Sequence, residues 1–352
     1  MKSAREFKLV ECGGTPYEIG IQWGRACKEN ILNTTSNIID TMVSFSNLSR
    51  EQVISMGTEH LPYIEKFDPY LVEIMRGQAD GTEVPFEEIV VLKCMTDFTA
   101  MAMSGIHTLC TSFAATGSAT EGGKTLLGQN IDFVPGSTID FLKIHHNDGL
   151  VQYVLCFNNW GDYTLSSAGF GICLNATFAR DHEFTLPVSA YIPKVMRQKT
   201  IAGAVDMLKQ VARGGGYYQL ADDSARIYGI ESTHDDVEVL HPGRDILLHS
   251  NHYITERFKA RDTAAGVQPD SYDRLDTISD LFNQHYGHIT PEMAMEILAN
   301  HDHYPNSICR HIDETVPISS STLASFIMVP AEGAIYIARG NPCENGFARY
   351  EF

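Results

Sequence analysis

Cys110 begins a stretch of sequence that could bring a thiol, an amide and a carboxylate together. Residues 110–116 (CTSFAAT) and 124–133 (KTLLGQNIDF) are typical of β-strands, and the segment between them is rich in turn residues. This pattern predicts a hairpin that places Cys110 close to Asn130 and Asp132. Because Asn130 and Asp132 are two residues apart on a strand, they should project to one face. A thiol in such surroundings can act as a nucleophile in acyl transfer.

The ordinary alternative for Cys110 is a packing role in a hydrophobic core. The chain has eight cysteines spread singly along its length, which favours free buried thiols over a disulfide framework. Two features favour a nucleophile at Cys110. Hydroxyl side chains surround it at Thr108, Thr111 and Ser112, and it lies where helical sequence gives way to strands.

The elements that must position these residues change in character at Cys110. Apolar residues at helical spacing predict helices over 17–33, 37–46, 50–63, 69–79 and 85–102. Short runs typical of strands follow over 110–116, 124–133, 138–146, 150–158, 163–167 and 170–178. Next come a helical segment at 187–212, strands at 217–221, 225–231 and 236–240, helices at 270–285 and 291–299, and strands at 322–329 and 333–338. Short turns between strands predict sheets between helical layers in one domain, and argue against a doubly wound parallel sheet.

Composition excludes several classes of function. The chain has 352 residues, 43% of them apolar and 20% charged, with a formal net charge of −18. This charge repels nucleic acid and anionic lipid, so neither is an expected partner. No membrane span or secretory signal is predicted, and we expect a cytoplasmic protein.

Five motifs in order resemble the acyl-coenzyme A:6-aminopenicillanic acid acyltransferase family, a self-processing cysteine group of the N-terminal nucleophile hydrolases. These motifs are GTPYEIGIQWGRACKENI, GTEVPFEEIVVLKCMTDF, FGICLNATF, LLHSNHY and ASFIMVPAEGAIYIARGNPC, and the CTSFAATG…GGKTLLGQNIDF hairpin resembles the family's processing site. The resemblance implies an α+β fold, an αββα sandwich of two antiparallel sheets between helical layers. It also implies self-cleavage between Leu109 and Cys110, giving a smaller fragment 1–109 and a larger fragment 110–352. The family most often has glycine before the cysteine, where this chain has Leu109.

The resemblance also implies roles for individual residues. The α-amine of Cys110, freed by cleavage, would act as general base for its own thiol, and Asp132 would hold that amine. Asn130 would support the end of the strand. Asn175 and Asn251 match positions that donate to the oxyanion, and Arg274 matches an active-site arginine that steadies the cysteine and the aspartate.

The expected substrate is a small-molecule acyl amide, with acyl-CoA as a further acyl donor, and no cofactor is expected. No metal site is expected either, because His145-His146 and His301-Asp302-His303 lack the spacing of known metal-binding motifs. The oligomeric state is not predicted.

Two other functions remain open from the sequence. One is an unprocessed, non-catalytic αββα binding protein, which Leu109 favours. The other is a conventional Cys–His protease with His107 or His252 as base. Of these two histidines, His252 is the better candidate, because an extended chain points His107 away from Cys110 and cleavage would remove it with the smaller fragment.

Overall fold

The computed structural model describes residues 4–102, 109–159, 161–179, 186–315 and 319–352. Within them, the strands form one sheet of eight and one of six. The larger sheet contains, in spatial order, β1 (Leu9–Gly14), β4 (Ile139–His146), β5 (Val151–Phe157), β6 (Gly161–Ser166), β7 (Phe170–Asn175), β8 (Gly216–Asp222), β9 (Ile227–Ser232) and β10 (Val237–Leu240). The smaller sheet contains β11 (Ile246–His249), β2 (Leu109–Gly117), β3 (Gly123–Phe133), β12 (Ser321–Val329), β13 (Ala334–Arg339) and β14 (Ala348–Glu351).

The described helices lie mainly before β2 and between the later strands. They are α1 (Pro16–Ala26), α2 (Lys28–Ser46), α3 (Arg50–Thr58), α4 (Leu61–Phe67), α5 (Pro69–Thr82), α6 (Phe86–Ala102), α7 (Val188–Met196), α8 (Ile201–Val211), α9 (Glu256–Lys259), α10 (Ala264–Val267), α11 (Asp270–Gln284) and α12 (Pro291–Leu298). In the described part of the chain, no helix is both long enough and apolar enough to cross a bilayer.

Alternation along the strands separates the core into layers. On β5, Tyr153 and Leu155 face the other sheet, whereas Val154 packs under α1 and α5. On β2, Ala114 faces the other sheet and Phe113 packs under α11 and α12. Helices α7 and α8 cover the far end of the larger sheet. The expected αββα architecture is therefore confirmed, since both sheets bury two faces.

One strand pairing departs from the expected antiparallel sheets. β1 lies at the edge of the larger sheet and pairs in parallel with β4, from Leu9 opposite Phe141 to Gly14 opposite His146. Neither β1 nor the short β11 and β14 were predicted from the sequence. All three are edge strands, and their short runs of four to six residues carry a weak pattern.

Three predicted helices are broken in the structure. The helix predicted over 17–33 is divided at Cys27 between α1 and α2, the one over 50–63 into α3 and α4, and the one over 187–212 into α7 and α8. Thr200 explains the break between α7 and α8, because its hydroxyl accepts from the Gly203 N–H and caps α8. The helix α2 continues through 34–36, where the sequence predicted a gap.

A pair of glycines allows α1 to lie directly against α5. A Cβ added to Gly20 would meet the Ile74 carbonyl oxygen at 2.1 Å, and one added to Gly77 would meet the Tyr17 carbonyl oxygen at the same distance. Real Cβ atoms do not approach so closely, so the backbones touch only because both residues are glycine. At the start of α1, Thr15 and Glu18 form a capping box.

Candidate active site

The predicted hairpin around Cys110 is confirmed, and its register determines which way the thiol points. β2 and β3 pair with Cys110 opposite Ile131, Leu109 opposite Asp132 and Thr111 opposite Asn130. Directly opposed residues share a face, so the thiol lies with Ile131 between the two sheets. Asn130 and Asp132 lie at the same end of the sheet but on its other face, beneath the helices. The sequence correctly predicted that Cys110, Asn130 and Asp132 lie close together, but not that Cys110 is on the opposite face of the sheet from the other two.

The thiol is buried, and among the described residues the polar groups beside it do not include a histidine. Within the described residues, it lies beside the Gln129 side chain, the Asp132 backbone and the Tyr163 hydroxyl. Burial, and secondarily the charge of Asp132, raises the pKa of the Cys110 thiol to about 12, although the Arg274 charge opposes this. The thiol of the uncut chain is therefore protonated at neutral pH and a poor nucleophile.

Gln129 is a site residue that the sequence analysis missed. It lies two residues before Ile131 on β3, so strand alternation alone places it on the same face as the thiol. Its Nε2 donates to the Leu174 carbonyl at 2.7 Å, and its Oε1 accepts from the Leu174 N–H at 3.1 Å. Gln129 thus ties β3 to β7 across the space between the sheets, directly beside Cys110.

Three of the predicted residues converge on the backbone of Cys110. Its N–H donates to Asn251 Oδ1 at 2.8 Å. Its carbonyl oxygen accepts from Arg274 Nη1 at 2.7 Å and from Asn175 Nδ2 at 3.3 Å. Asn251 Oδ1 also accepts from Arg274 Nη2 at 2.9 Å, while Asn251 Nδ2 donates to the Ala176 carbonyl at 2.9 Å. Because both partners of Asn251 Oδ1 are obligate donors, Asn251 presents its oxygen to Cys110.

Arg274 is the centre of a buried network that holds this arrangement. Its side chain is fully buried, and Nη1 also donates to Thr111 Oγ1 at 2.9 Å. Nε donates to Asp270 Oδ2 at 3.0 Å, one helical turn earlier on α11. Arg310 forms a second ion pair with Asp270. Burial acts to raise the pKa of Asp270, but the two guanidinium groups hold it below its ordinary value. The sequence analysis missed Asp270 and Arg310.

Asp132 and Asn130 contact the elements around the strand rather than Cys110 directly. Thr322 Oγ1 donates to Asp132 Oδ1 at 2.6 Å, and Asp132 Oδ2 is buried without a hydrogen-bond partner among the described atoms. Burial raises the pKa of Asp132 to about 6, against the influence of Thr322 and Arg274. Asn130 Nδ2 donates to the carbonyls of Leu298 at 2.8 Å and Ile308 at 2.9 Å, which ties β3 to the loop after α12.

The two histidines considered as alternative bases differ in what the structure describes. His107 lies outside the described residues. His252 Nδ1 shares hydrogen bonds with Ser271 Oγ at 2.8 Å and Ser250 Oγ at 3.2 Å. Burial, with the charges of His249 and Arg274, lowers the pKa of His252 to about 4. A neutral imidazole bonded to serines is poorly suited to form a thiolate–imidazolium pair with Cys110.

In the part of the chain that the structure describes, neither Cys110 nor Asp132 belongs to a group of metal-ligating side chains. Among the described residues, one group of three or more such side chains has converging ligand atoms, and it comprises His301, Cys309, His311 and Cys343. The sequence analysis considered His301 but missed this group, because Cys309 and His311 lie eight and ten residues further along the same loop and Cys343 comes from a separate segment.

No family model matches this chain. Its sequence is similar to the acyl-coenzyme A:6-aminopenicillanic-acid-acyltransferase 40 kDa form of Emericella nidulans, with 24% identity over 318 residues that cover 87% of this chain and 85% of that protein. This similarity confirms the resemblance that the sequence motifs indicated.

Solved structures that match this chain at low identity include the following two. A conjugated bile acid hydrolase from Clostridium perfringens matches with a TM-score of 0.46 and 12% identity, over 69% of this chain and 97% of that one. The penicillin V acylase from Agrobacterium tumefaciens matches with a TM-score of 0.46 and 13% identity, over 65% of this chain and 83% of that one.

Proposed function

We propose that this chain is a self-processing cysteine amidohydrolase or acyltransferase that acts on linear amides through a thioester on Cys110. The similarity to an acyl-CoA:6-aminopenicillanic-acid acyltransferase over most of both chains supports this class of reaction. The buried polar network around the Cys110 backbone supports the choice of nucleophile.

The observation that carries the proposal is the hydrogen bond from the Cys110 N–H to Asn251 Oδ1. The nitrogen of Cys110 is held by a dedicated side chain, whereas the thiol has no histidine partner among the described residues. After cleavage before Cys110, this nitrogen becomes an α-amine with an ordinary pKa of about 7.7 to 8.0, close to that of a thiol at about 8.5. By accepting one N–H, Asn251 would orient the amine and leave its lone pair for the thiol proton. The nearby Arg274 charge would favour the neutral, basic form of the amine.

Cleavage would begin with attack of the Cys110 sulfur on the Leu109 carbonyl carbon. The Leu109–Cys110 peptide bond breaks, and the nitrogen takes the proton that leaves the thiol. A thioester then joins the Leu109 carboxyl carbon to Cys110 Sγ, and water hydrolyses it to a free carboxylate and the thiol. The products are the fragments 1–109 and 110–352, with the α-amine beside the regenerated thiol.

Turnover of substrate would repeat this chemistry on an external acyl group. The α-amine takes the thiol proton, the thiolate attacks the acyl carbonyl, and the leaving amine receives the proton as the thioester forms. Donors to the oxyanion are each worth about 3 to 4 kcal/mol in comparable enzymes, and Asn175, with its Nδ2 already directed at Cys110, is the better placed of the two asparagines. Water as acceptor gives hydrolysis, and an amine acceptor gives acyl transfer. We favour hydrolysis because it needs no second binding site.

Intact mass of the purified protein tests the proposal. In proportion to 39.1 kDa for the whole chain, the wild type should give fragments of about 12 and 27 kDa, the larger beginning at Cys110. Cys110→Ala should give one uncut chain, and Cys12→Ala, which removes a thiol on β1, should be cut normally. An uncut wild type with a thiol inert to acyl-type probes would contradict the proposal and favour the binding protein. Full activity as one chain, lost in His252→Ala, would favour the Cys–His protease.

A further inference from the structure

Four metal-ligating side chains meet near one end of the smaller sheet, and Cys110 is not one of them. His301, Cys309 and His311 come from the loop between α12 and β12, and Cys343 comes from the segment after β13. Their ligand atoms all lie within 4.8 Å of one another. Cys309 is buried, His311 and Cys343 are half-buried, and His301 is exposed.

Four of the six distances between the ligand atoms are close to those around a single small ion, and the two from His301 to the sulfurs are no longer than 4.8 Å. The two sulfurs lie 3.6 Å apart and the two Nε2 atoms 3.0 Å apart. His311 Nε2 lies 3.2 Å from Cys343 Sγ and 3.9 Å from Cys309 Sγ. A tetrahedral zinc site with Zn–S near 2.3 Å and Zn–N near 2.05 Å has corresponding edges of about 3.8, 3.3 and 3.6 Å. Each of these four distances agrees with its expected edge to within about 0.4 Å.

We propose that His301, Cys309, His311 and Cys343 bind one Zn²⁺ ion as a closed structural site. Two thiolates and two imidazoles in tetrahedral arrangement are the ligand set that zinc prefers. With four protein ligands, the ion has no open position for water or substrate, so its role is to hold the chain rather than to take part in the reaction.

Groups around the four ligands support the assignment. Glu344 Oε1 lies 3.7 Å from His311 Nδ1, on the far side of the ring from the cluster. A carboxylate in this position favours the tautomer with a proton on Nδ1, which leaves Nε2 free for a metal. Asn341 Nδ2 lies 3.6 Å from Cys309 Sγ and can donate to it, as donors do to metal-bound sulfur.

The proposed ion would stabilise a loop that supports the candidate active site. Cys309 lies between Ile308, whose carbonyl accepts from Asn130, and Arg310, which pairs with Asp270. The Arg310 carbonyl accepts from the Thr322 N–H, and Thr322 in turn donates to Asp132. Zinc would tie this loop to the segment after β13.

Metal content of the full chain, purified without chelator, tests the proposal directly. We expect about one zinc per chain in the wild type and in the control Cys27→Ser, and a small fraction of that in Cys343→Ser. Loss of a group that only orients a ligand weakens metal affinity by about 10- to 100-fold, so loss of a ligand should weaken Zn²⁺ binding by at least about 100-fold. Wild-type protein that carries no zinc and binds none in an equilibrium titration would overturn the proposal.

An exposed ligand gives a variant that leaves the core intact. His301→Ala should lose zinc while its circular dichroism spectrum stays unchanged, and His288→Ala, at another exposed histidine, should keep it. Wild-type protein reloaded with Co²⁺ should show thiolate-to-cobalt charge-transfer bands and the strong visible bands of tetrahedral Co²⁺. A mass 2 Da below that of the reduced chain, with both thiols resistant to alkylation and no metal, would instead indicate a Cys309–Cys343 disulfide and overturn the proposal.

The metal measurements do not depend on the proposed function. Zinc can be present in a chain that is never cut, and cleavage can occur in a chain that holds no zinc. The two proposals can therefore fail separately.

Discussion

At the scale of single residues, Cys110 is held in an unreactive form by its surroundings. Its thiol is buried and has a raised pKa, while its backbone is fixed on both sides by Asn251, Asn175 and Arg274. The structure thus has an ordered backbone around a protonated thiol. Under the proposed function, the missing component is a base, which cleavage would supply.

Asp132→Asn should slow processing or turnover by at least about 100-fold, as expected when a group that assists proton transfer is lost. The cause would be the loss of a negative charge close to Cys110, whose nitrogen takes the thiol proton both in processing and in turnover. Processing is measured as the rate of fragment formation on denaturing gels. Turnover is measured as the rate at which the processed fraction hydrolyses acyl amides. Asp140→Asn, which alters a buried carboxyl bonded to Trp23 and Asn30 instead, is the matched control. Near-normal rates in Asp132→Asn would remove Asp132 from the mechanism.

The raised pKa of Asp132 also predicts how stability changes with pH. Burial raises this pKa from 3.8 to about 6, so the folded chain holds a proton that the unfolded chain releases first. The contribution to the free energy of unfolding is then fully present below pH 3.8 and is lost as pH rises through about 6. A shift of this size corresponds to about 3 kcal/mol.

This pH effect can be measured in the uncut Cys110→Ala chain with and without Asp132→Asn. Urea unfolding between pH 4 and pH 7 should show the chain with Asp132 losing up to about 3 kcal/mol relative to the one with asparagine. A constant difference across that range would show that Asp132 titrates normally.

At the scale of elements, the helix pair α1 and α5 depends on glycine at its contact. Gly77→Ala should destabilise the uncut chain by about 1 to 3 kcal/mol or more, because the new methyl group forces the two backbones apart. Gly203→Ala in α8 meets nothing closer than 3.4 Å and should be neutral or stabilising by up to about 1 kcal/mol. Urea unfolding of both variants measures the contrast, and equal effects would show that close contact does not limit the α1–α5 pair.

Elements with strong local patterns were predictable from the sequence, and long-range features were not. The β2–β3 hairpin was predicted because both strands and their turn lie within 25 residues of one another. The face of the sheet on which each side chain lies was not predicted, since a shift of one residue in strand register exchanges the two faces. Arg274 was found only through the family resemblance. Asp270 and Arg310 were missed because only the tertiary fold brings these residues, 40 positions apart, into contact.

At the scale of the whole molecule, the two expected fragments share one core. Residues before Cys110 supply β1 and the helices α1 to α6, and they bury Val10, Ile19 and Met75 against Leu142 and Val154 of the larger sheet. Cleavage of one peptide bond removes none of these contacts.

The processed protein should therefore elute from a sizing column at the same volume as the uncut Cys110→Ala chain. The two fragments should separate only when a denaturant is added, because only unfolding exposes the buried surface between them. Two peaks under native conditions would contradict this prediction.

The parallel pairing of β1 with β4 has a consequence for what the N-terminal segment becomes. A propeptide that is discarded on maturation leaves its enzyme's sheets complete. Removal of residues 1–109 would instead leave β4 as an open edge of the larger sheet. It would also expose the apolar faces of β4 and β5 to solvent. After the proposed cut, this segment would be a permanent subunit. The enzyme would mature from a single polypeptide into an obligate heterodimer, and the contacts between residues 1–109 and 110–352 would stay the same.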